Sequence, residues 1–306
     1  MTGAPGPCVP GDDPGIPYED ADLAATRLAF DRVGDEIEVR ASENPVLEWM
    51  RATNREELLG TFPPGSHLLE IGCGAGADAV FLAERGYRVT AIDLSARMVE
   101  ATRRRVEAHG VAASVEVRRG TVGELVGPLR SEAPLGFDGA FANFSLSYEP
   151  SLRAVGVAVH SVTRRGSHFV ATLPNRWALS VPAAAMLRGR PSEAFERWAD
   201  HRRLVVRGVP LQTHDYSLRE VRRALAGLYD IERVRGLPVF MPSSFLYQSR
   251  HRRIWSDLQR LDDRWDRAFP WRYLGETTLY RMRRVASAPP GPREERELTP
   301  PPRAPE

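Results

Sequence analysis

Hydrophobic residues in the central part of the chain follow two alternating patterns. Short runs typical of strands occupy His67–Ile71, Tyr87–Ile92, Ser114–Arg118, Phe137–Phe144 and Ser167–Leu173. Segments with helical periodicity lie between them, at Ala77–Arg85, Ser95–His109 and Leu152–Thr163. Strands that alternate with helices predict a parallel sheet whose connections are right-handed crossovers.

The segments that flank this region show different patterns. Asp22–Arg32 and Asn44–Gly60 have apolar residues at helical spacing. After Pro174, the segment Trp177–Leu204 predicts one or two helices, and Val209–Tyr216 suits an extended conformation. We therefore expect helices before the first strand and a largely helical insertion after the fifth.

The C-terminal third combines further helices and strands. Ser217-Leu-Arg-Glu220 is a capping box that begins a helix. Tyr229–Val234 and Thr277–Arg283 are candidate strands, and Gln248–Phe269 between them predicts a helix. The apolar residues of that helix, which we expect to pack in the core, are Ile254, Trp255, Leu258, Leu261 and Trp265. Together these elements predict an α/β fold with a Rossmann-like, doubly wound, mostly parallel seven-stranded sheet.

Length and composition limit the number of domains. A chain of 306 residues with 42% hydrophobic content suffices for one large α/β core and is marginal for two. Residues 1–17 and 286–306 are rich in proline and are predicted to be disordered tails. We therefore expect a single domain over residues 18–285, with a lid at about 176–216 and a helical insertion at about 248–269.

Charge and cysteine content argue against several classes of protein. The formal net charge of +2 gives no global attraction to nucleic acid or to a membrane. No apolar run is long enough to span a bilayer, and no signal peptide is recognisable. Cys8 and Cys73 lie in unrelated contexts, and no Cys/His cluster has zinc spacing, so neither a disulfide nor a metal site is expected. These features fit a protein of the reducing cytoplasm.

Three glycines lie between the first strand and the following helix, and they are the first indication of chemistry. Gly72, Gly74 and Gly76 allow a tight turn and a close approach of ligand to backbone, next to the positive end of a helix. The loop therefore suits a nucleotide-like cofactor. Asp93 lies 21 residues after Gly72, as a ribose-binding acid should, so the pattern also fits NAD binding. The glycines and Asp93 alone do not exclude that cofactor.

Glu70 separates these alternatives. It lies near the end of a buried strand, where a carboxylate is costly unless a cation or a hydrogen-bond donor meets it. A dinucleotide site has no need of an acid here, whereas a sulfonium cofactor with an amino-acid tail does. The structural alternative is a carboxylate that accepts backbone N–H bonds from the glycine loop.

These residues resemble the motifs of a known family. Leu68-Leu-Glu-Ile-Gly-Cys-Gly-Ala-Gly-Ala-Asp78 resembles motif I of class I S-adenosylmethionine-dependent methyltransferases. Ala91-Ile-Asp-Leu-Ser95, followed by Met98, is similar to their second motif, and Phe137-Asp-Gly-Ala-Phe-Ala-Asn-Phe144 to their fourth-strand motif. Phe62-Pro-Pro-Gly65 and the N-terminal helices resemble the small-molecule branch. The resemblance covers Tyr18–Asn175 well and the rest in outline.

The resemblance implies that S-adenosylmethionine is the cofactor. Its implied binding residues are Glu70, Gly72, Cys73, Gly74, Gly76, Asp93, Leu94, Met98, Thr121 and Asn143. In the family the glycines line the methionine and ribose, Asp93 would bind both ribose hydroxyls, and Leu94 and Met98 would border the adenine. Asn143 would face the methionine moiety.

The chain departs from the family after the third strand. Many members have an aspartate there that meets the adenine amino group, whereas this chain reads Gly120-Thr-Val122. Thr121 or a backbone group would have to replace that contact.

The acceptor is expected to lie above the carboxyl ends of the strands. The candidate catalytic bases are His214 and Tyr148, and residues 176–216 would form a lid over a small, largely apolar acceptor methylated on O, N or C. Two alternatives remain. An RNA methyltransferase is suggested by the arginines of residues 249–284, although the interleaved aspartates favour local ion pairs. A non-catalytic binding protein with this fold is the other.

Overall fold

The computed structural model describes residues 18–33, 44–187, 189, 202–241 and 252–285. Both predicted tails, Cys8 and residues 188 and 190–201 of the predicted lid lie outside the described residues.

One seven-stranded sheet forms the centre of the molecule. Its strands are β1 (His67–Ile71), β2 (Arg88–Asp93), β3 (Val115–Arg119), β4 (Phe137–Ala142), β5 (Thr163–Pro174), β8 (Tyr229–Leu237) and β9 (Thr277–Arg284), while β6 (Arg202–Val206) and β7 (Val209–Thr213) form a separate hairpin. The strand order is β3-β2-β1-β4-β5-β9-β8. Strands β1 to β5 pair in parallel, and β9 runs antiparallel to both of its neighbours. The predicted doubly wound, mostly parallel α/β sheet is therefore confirmed.

Helices precede the sheet and connect its strands. They are α1 (Tyr18–Val33), α2 (Pro45–Thr61), α3 (Ala77–Ala83), α4 (Ala96–Ala108), α5 (Val126–Glu132), α6 (Leu152–Val162), α7 (Ser180–Leu187), α8 (Leu218–Ala224) and α9 (Arg252–Trp265). Short 3-10 turns follow β4, at Leu146–Tyr148, and precede β9, at Trp271–Tyr273. The N-caps of two α-helices agree with the sequence: Ser95 caps α4, and Ser217 with Glu220 forms the predicted capping box of α8.

The core has two layers because successive residues of a buried strand point to opposite faces. On β1, Leu68 belongs to one hydrophobic cluster and Leu69 to the other, and both are fully buried. The same alternation separates Phe169 from Val170 on β5. Full burial of one such leucine stabilises the fold by about 1.5–3 kcal/mol, so β1 is held firmly from both sides.

The lid region is less helical than its sequence predicts. Helix α7 forms, but Arg202–Val206, whose first three residues were predicted as helix, is a strand that pairs with β7. The turn between these strands places Arg207 at φ 49° and Gly208 at φ 77°. Two successive positive φ values are the signature of the two-residue turn that matches the twist of a hairpin. Gly208 and the β-branched residues of both strands therefore override the helical pattern.

Helix α9 forms within the predicted segment, and Leu258 packs against the core as expected, but the C-terminal part of its expected apolar face is exposed. Leu261 and Trp265 are 42% and 40% exposed, whereas Asp262 and Asp266 are fully buried. Asp262 accepts backbone N–H bonds from Val239, Phe240 and Met241 at 2.6–3.0 Å. Asp266 pairs with the buried Arg235. Satisfying these backbone and guanidinium groups decides which face is buried, and an apolar pattern cannot reveal that demand.

Candidate functional site

A cavity of about 210 Å³ lies at the carboxyl edge of the parallel strands. Its floor comes from the ends of β1 and β2, from the glycine loop after β1, and from residues that follow β4. Ligands in open α/β sheets bind at this edge, where the chain leaves each strand in a loop. Of the residues predicted to bind the cofactor, all but Gly76 line this cavity.

Glycine is needed at these three positions for different structural reasons. All have positive φ, at 71° for Gly72, 54° for Gly74 and 77° for Gly76. A Cβ atom on Gly72 would collide with Ser145, and one on Gly76 would lie 2.6 Å from Thr102, so these two permit tight packing. Gly74 has open space where its Cβ would be, and this is where a ligand can approach the main chain.

Asp93 ties the glycine loop to the loop after β2. Its Oδ2 accepts a hydrogen bond from the Gly74 N–H, and its Oδ1 accepts one from the Ser95 N–H, each at 2.9 Å. Burial raises the pKa of this carboxyl to about 6, against the effect of the two N–H donors. A carboxylate has about four acceptor positions, so Asp93 keeps capacity to bind two hydroxyl groups from the cavity.

Glu70 is the acid whose charge is least compensated in the site. Its side chain is buried, and Oε2 accepts no hydrogen bond from any described residue. Burial, reinforced by the charges of Asp78 and Asp93, raises its pKa well above the usual range, and Arg55 and Arg51 oppose that rise only partly. The site therefore offers a buried acceptor that suits a cationic ligand group.

The glycine loop does not satisfy Glu70. The N–H groups of Gly72 and Cys73 donate to the Ile92 carbonyl at 2.8 and 3.0 Å, and the Gly74 N–H donates to Asp93. The structural alternative, a Glu70 held by the loop's own N–H groups, is therefore not what the described hydrogen bonds show.

A network of polar side chains positions Asn143 at the cavity wall. Its Nδ2 donates to Asp78 Oδ2 at 2.9 Å, and Asp78 Oδ1 accepts from Arg55 Nε at 2.7 Å. Thr172 donates to Asn143 Oδ1 at 3.5 Å. The next residue, Phe144, has φ 58° and also lines the cavity. That conformation costs a non-glycine residue about 1–2 kcal/mol, and such strain often marks functional sites.

Helix α1 roofs the cavity, which the sequence did not reveal. Leu23, Thr26, Arg27 and Phe30 line it, and the Phe30 ring packs edge-on against Tyr148 with centroids 5.0 Å apart. The amphipathic pattern of α1 is too weak to indicate this role.

The hairpin β6–β7 supports the roof from behind. Val209 and Leu211 of the hairpin form a small buried cluster with Ala29 of α1. Among the described residues, no residue of the predicted lid at 176–216 lines the cavity. Trp177 is 53% exposed and lies on a separate groove with Tyr273 and Tyr280.

The two predicted catalytic residues are placed differently. Tyr148 lines the cavity, on the 3-10 turn after β4. His214 does not line it: its backbone N–H donates to the Ser147 carbonyl at 2.9 Å, and its ring lies 6.2 Å from that of Tyr216. On this geometry Tyr148 is the better placed of the two.

Glu149 was missed at the sequence level. It lines the cavity next to Tyr148, and burial, with the nearby charges of Glu124 and Asp93, raises its pKa to about 7. A Glu-Pro pair after a strand is typical of an exposed turn, so only the fold could reveal this carboxyl.

Among the described residues, no group of three or more His, Cys, Asp or Glu side chains has the arrangement of a metal site. No helix in these ranges is long and apolar enough to cross a membrane.

Comparison with known sequences agrees with this geometry. Residues 68–166 match the model of a methyltransferase domain family. A ubiquinone biosynthesis O-methyltransferase of Xanthomonas campestris pv. campestris (strain B100) is 33% identical over 125 residues, which are 40% of this chain and 50% of that protein. The chain thus matches about half the length of this curated relative.

Solved structures show the same fold at low identity. A 1,6-didemethyltoxoflavin-N1-methyltransferase of Burkholderia thailandensis, crystallised with 1,6-didemethyltoxoflavin and S-adenosylhomocysteine, superposes with a TM-score of 0.56 at 16% identity. The match covers 89% of this chain and 93% of that one. A 4+2 cyclase superposes with a TM-score of 0.50 at 15% identity and covers 76% of this chain and 81% of that one.

Proposed function

Because this chain contains a class I S-adenosylmethionine-dependent methyltransferase domain, we propose that it transfers a methyl group from S-adenosylmethionine to O, N or C of a small, largely apolar metabolite. The sequence relative and the toxoflavin-precursor enzyme both carry names of small-molecule methyltransferases. These names describe those proteins, and the acceptor class is our inference for this chain.

The observation that carries the proposal is the buried Glu70, whose Oε2 has no hydrogen-bond partner among the described residues, in the same cavity as the open face of Gly74. The methionine part of the cofactor carries an ammonium group, which is a hydrogen-bond donor and a cation. Glu70 would hold that ammonium, Arg51 at the same cavity would face the methionine carboxylate, and Asp93 would hold the ribose hydroxyls. The pyridinium ring of oxidised NAD is a cation, but its charged nitrogen carries no N–H group and cannot donate a hydrogen bond to Glu70 as an ammonium can.

The cofactor supplies an activated methyl carbon and its own leaving group. The protein therefore contributes mainly by position, since the acceptor atom must lie about 3 Å from the methyl carbon and in line with it. The polar network around Asn143 fixes the wall of the cavity, and α1 with Tyr148 excludes water from above. Tyr148 is the residue we propose to orient or deprotonate the acceptor.

The roof supports an apolar acceptor. Leu23, Phe30 and Tyr148 present apolar and aromatic surface, with Thr26 and Arg27 as the polar groups on the same helix. Pockets for small organic ligands have this composition, in which a few polar groups fix the orientation of a mostly apolar molecule.

Calorimetry with three ligands tests the cofactor assignment. We expect S-adenosylmethionine and S-adenosylhomocysteine to bind much more tightly than NAD. Asp93→Ala should weaken both sulfur ligands, since it removes two hydrogen bonds to a charged group worth about 1.5–3 kcal/mol each, softened by water. The exposed Glu116→Ala serves as the control and should bind as the wild type does. Tighter binding of NAD would refute the assignment.

A single-turnover assay separates a methyltransferase from a protein with the same fold that transfers no methyl group. The question arises because a 4+2 cyclase shares the architecture. Protein loaded with S-adenosylmethionine is mixed with a panel of phenols, quinols and heteroaromatic compounds, and S-adenosylhomocysteine is quantified. We expect formation with at least one class of acceptor and reduced formation by Tyr148→Phe. Tight cofactor binding with no turnover on any acceptor class would favour the binding protein.

A further inference from the structure

The adenine end of the cavity lacks the acid that many relatives have after the third strand. Leu94, Met98 and Thr121 line this end. The Thr121 N–H and hydroxyl both donate to Glu124 Oε2, at 2.8 and 3.1 Å, and the Glu124 N–H donates back to the Thr121 hydroxyl at 3.2 Å. Thr121 is thus engaged in a reciprocal cap, and its hydroxyl is a poor substitute for a free carboxylate.

Glu124 does not fill this role either. Its side chain is exposed, its Oε2 is occupied by Thr121, and it is not among the residues that line the cavity. An exposed carboxylate in water gives weak discrimination, because water competes for the same donor.

Glu149 lines the same cavity from the turn after β4. It directly follows the 3-10 turn Leu146–Tyr148 and precedes Ser151, the N-cap of α6, by two residues. Its side chain is half-buried and lines the cavity, and no described residue donates a hydrogen bond to its carboxyl.

The charges that act on Glu149 locate it along the cavity. They are Glu124, at the third-strand loop, and Asp93, at the predicted ribose position. The charges that act on Glu70 are Asp78, Asp93, Arg55 and Arg51. Asp93 is common to both groups, whereas Glu124, at the third-strand loop, acts on Glu149 and is not among the charges that act on Glu70. Together with Leu94, Met98 and Thr121 in the lining of the same cavity, this supports a position of Glu149 toward the adenine end.

We propose that Glu149 is the acid that recognises the amino group of the cofactor's adenine, in place of the missing aspartate after the third strand. The inference rests on the proposed cofactor. An ionised carboxylate accepts a hydrogen bond from the N6 amino group, and a protonated carboxyl can in addition donate to N1. A buried acceptor with no donor of its own gains most from such a ligand group. Desolvation raises the pKa of this carboxyl to about 7, as expected for a carboxylate that accepts no hydrogen bond from the described residues.

A double-mutant cycle between ligand and protein tests the contact. The ligands are S-adenosylhomocysteine and its 6-desamino analogue, in which hydrogen replaces the amino group, and the measurement is the dissociation constant at pH 8.5. We expect the loss of the amino group to weaken binding to the wild type about 10- to 100-fold, the range for a hydrogen bond to a charged group. In Glu149→Ala the two ligands should bind within about threefold of each other, because the partner is gone.

Three variants make the result specific. Asp93→Ala should weaken both ligands and keep their ratio, and Glu124→Ala should keep the ratio as well. Glu149→Gln retains an acceptor oxygen and should restore part of the discrimination even if the alanine variant is unstable. Equal discrimination in wild type and Glu149→Ala, or its loss in Glu124→Ala, would overturn the inference. Failure of the wild type to bind S-adenosylhomocysteine would instead refute the proposed function.

Discussion

Individual acidic side chains decide what this cavity can bind. Glu70 was recognisable from sequence because an unpaired carboxylate in a buried strand is energetically costly. In the structure, no described residue donates a hydrogen bond to its Oε2. Asp93 was recognisable from its spacing after the glycines. Glu149 was not, since its burial depends on where the turn after β4 lies against residues distant in the sequence.

The raised pKa of Glu70 predicts that protons are released when the cofactor binds. In the free protein, burial and two neighbouring acids hold the carboxyl protonated to higher pH than usual. A bound ammonium favours the ionised form and lowers that pKa, so binding releases a proton below the raised pKa, and affinity increases as pH rises toward it. Calorimetry at pH 7 in two buffers of different ionisation enthalpy should detect this release.

Glu70→Gln is the decisive variant for that prediction. It cannot ionise, so the proton release attributable to this site should disappear and affinity should fall at least tenfold, as expected for a lost charge-assisted bond. The exposed Glu116→Gln should behave as the wild type. Proton release that persists in Glu70→Gln would assign it to another group.

At the scale of elements, local rules predicted most of the helices and strands, and tertiary demands explain the exceptions. The capping box at Ser217 and the strands β1 to β5 appear where expected, within a few residues. Arg202–Val206 became a strand because Arg207 and Gly208 form a tight hairpin turn. The buried face of α9 was misassigned because Asp262 and Asp266 satisfy polar groups on β8 and the loop after it, a demand that is invisible in the helix's own sequence.

The ion pair on the buried face of α9 should be essential for stability. Arg235 is 3% exposed, and Asp266→Ala leaves its guanidinium without that charged partner, a change that costs about 3–5 kcal/mol in buried sites. Asp257→Ala breaks the exposed pair with Arg260 on the same helix and should cost less than about 1 kcal/mol. Urea unfolding of both variants measures the difference, and equal small losses would show that Arg235 finds another partner.

The hairpin should control the roof through α1. Leu211 is 2% exposed and packs in the cluster with Ala29, so Leu211→Ala should cost about 2–5 kcal/mol locally and loosen α1. Amide exchange of Leu23–Phe30 should accelerate and acceptor KM should rise. Leu135→Ala makes the same change at a side chain that is 82% exposed and should alter neither. Unchanged exchange in α1 would mean that the hairpin does not support the roof.

For the whole molecule, the fold followed from the alternation of strand and helix patterns, and the proposed cofactor site rests on three glycines and two acids at fixed spacing. The acceptor side could not be predicted in the same way. Its roof is α1, far from the floor in sequence, and the chemical character of the cavity arises only when helix, 3-10 turn and loop meet at one edge of the sheet.

The choice between a small acceptor and RNA is also a property of the whole molecule. The sequence suggested that the aspartates at α9 neutralise its arginines. Asp257 pairs with Arg260, and Asp266 lies 3.9 Å from Arg267, whereas Asp262 binds backbone N–H groups and Asp263 accepts from Trp49 Nε1 at 2.9 Å. Burial of Asp262 removes one expected acidic partner from the outer face of α9. The arginines of β9, however, are engaged in contacts within the protein. Arg281 lies 3.5 Å from the buried Glu57, and Arg284 donates to the Thr163 carbonyl.

Arginines committed to the protein itself cannot neutralise a continuous run of phosphates, and phosphate contacts supply most of the affinity for nucleic acid. We therefore expect bulk tRNA and rRNA fragments to bind more weakly than about 1 μM at physiological salt in a filter-binding titration, within the range of non-specific association. Arg264→Ala, on the exposed face of α9, should lower that residual binding and the salt slope slightly while leaving cofactor affinity unchanged. Sub-micromolar RNA binding that collapses as salt rises, and that Arg264→Ala impairs, would reverse the ranking and make α9 the docking surface of an RNA methyltransferase.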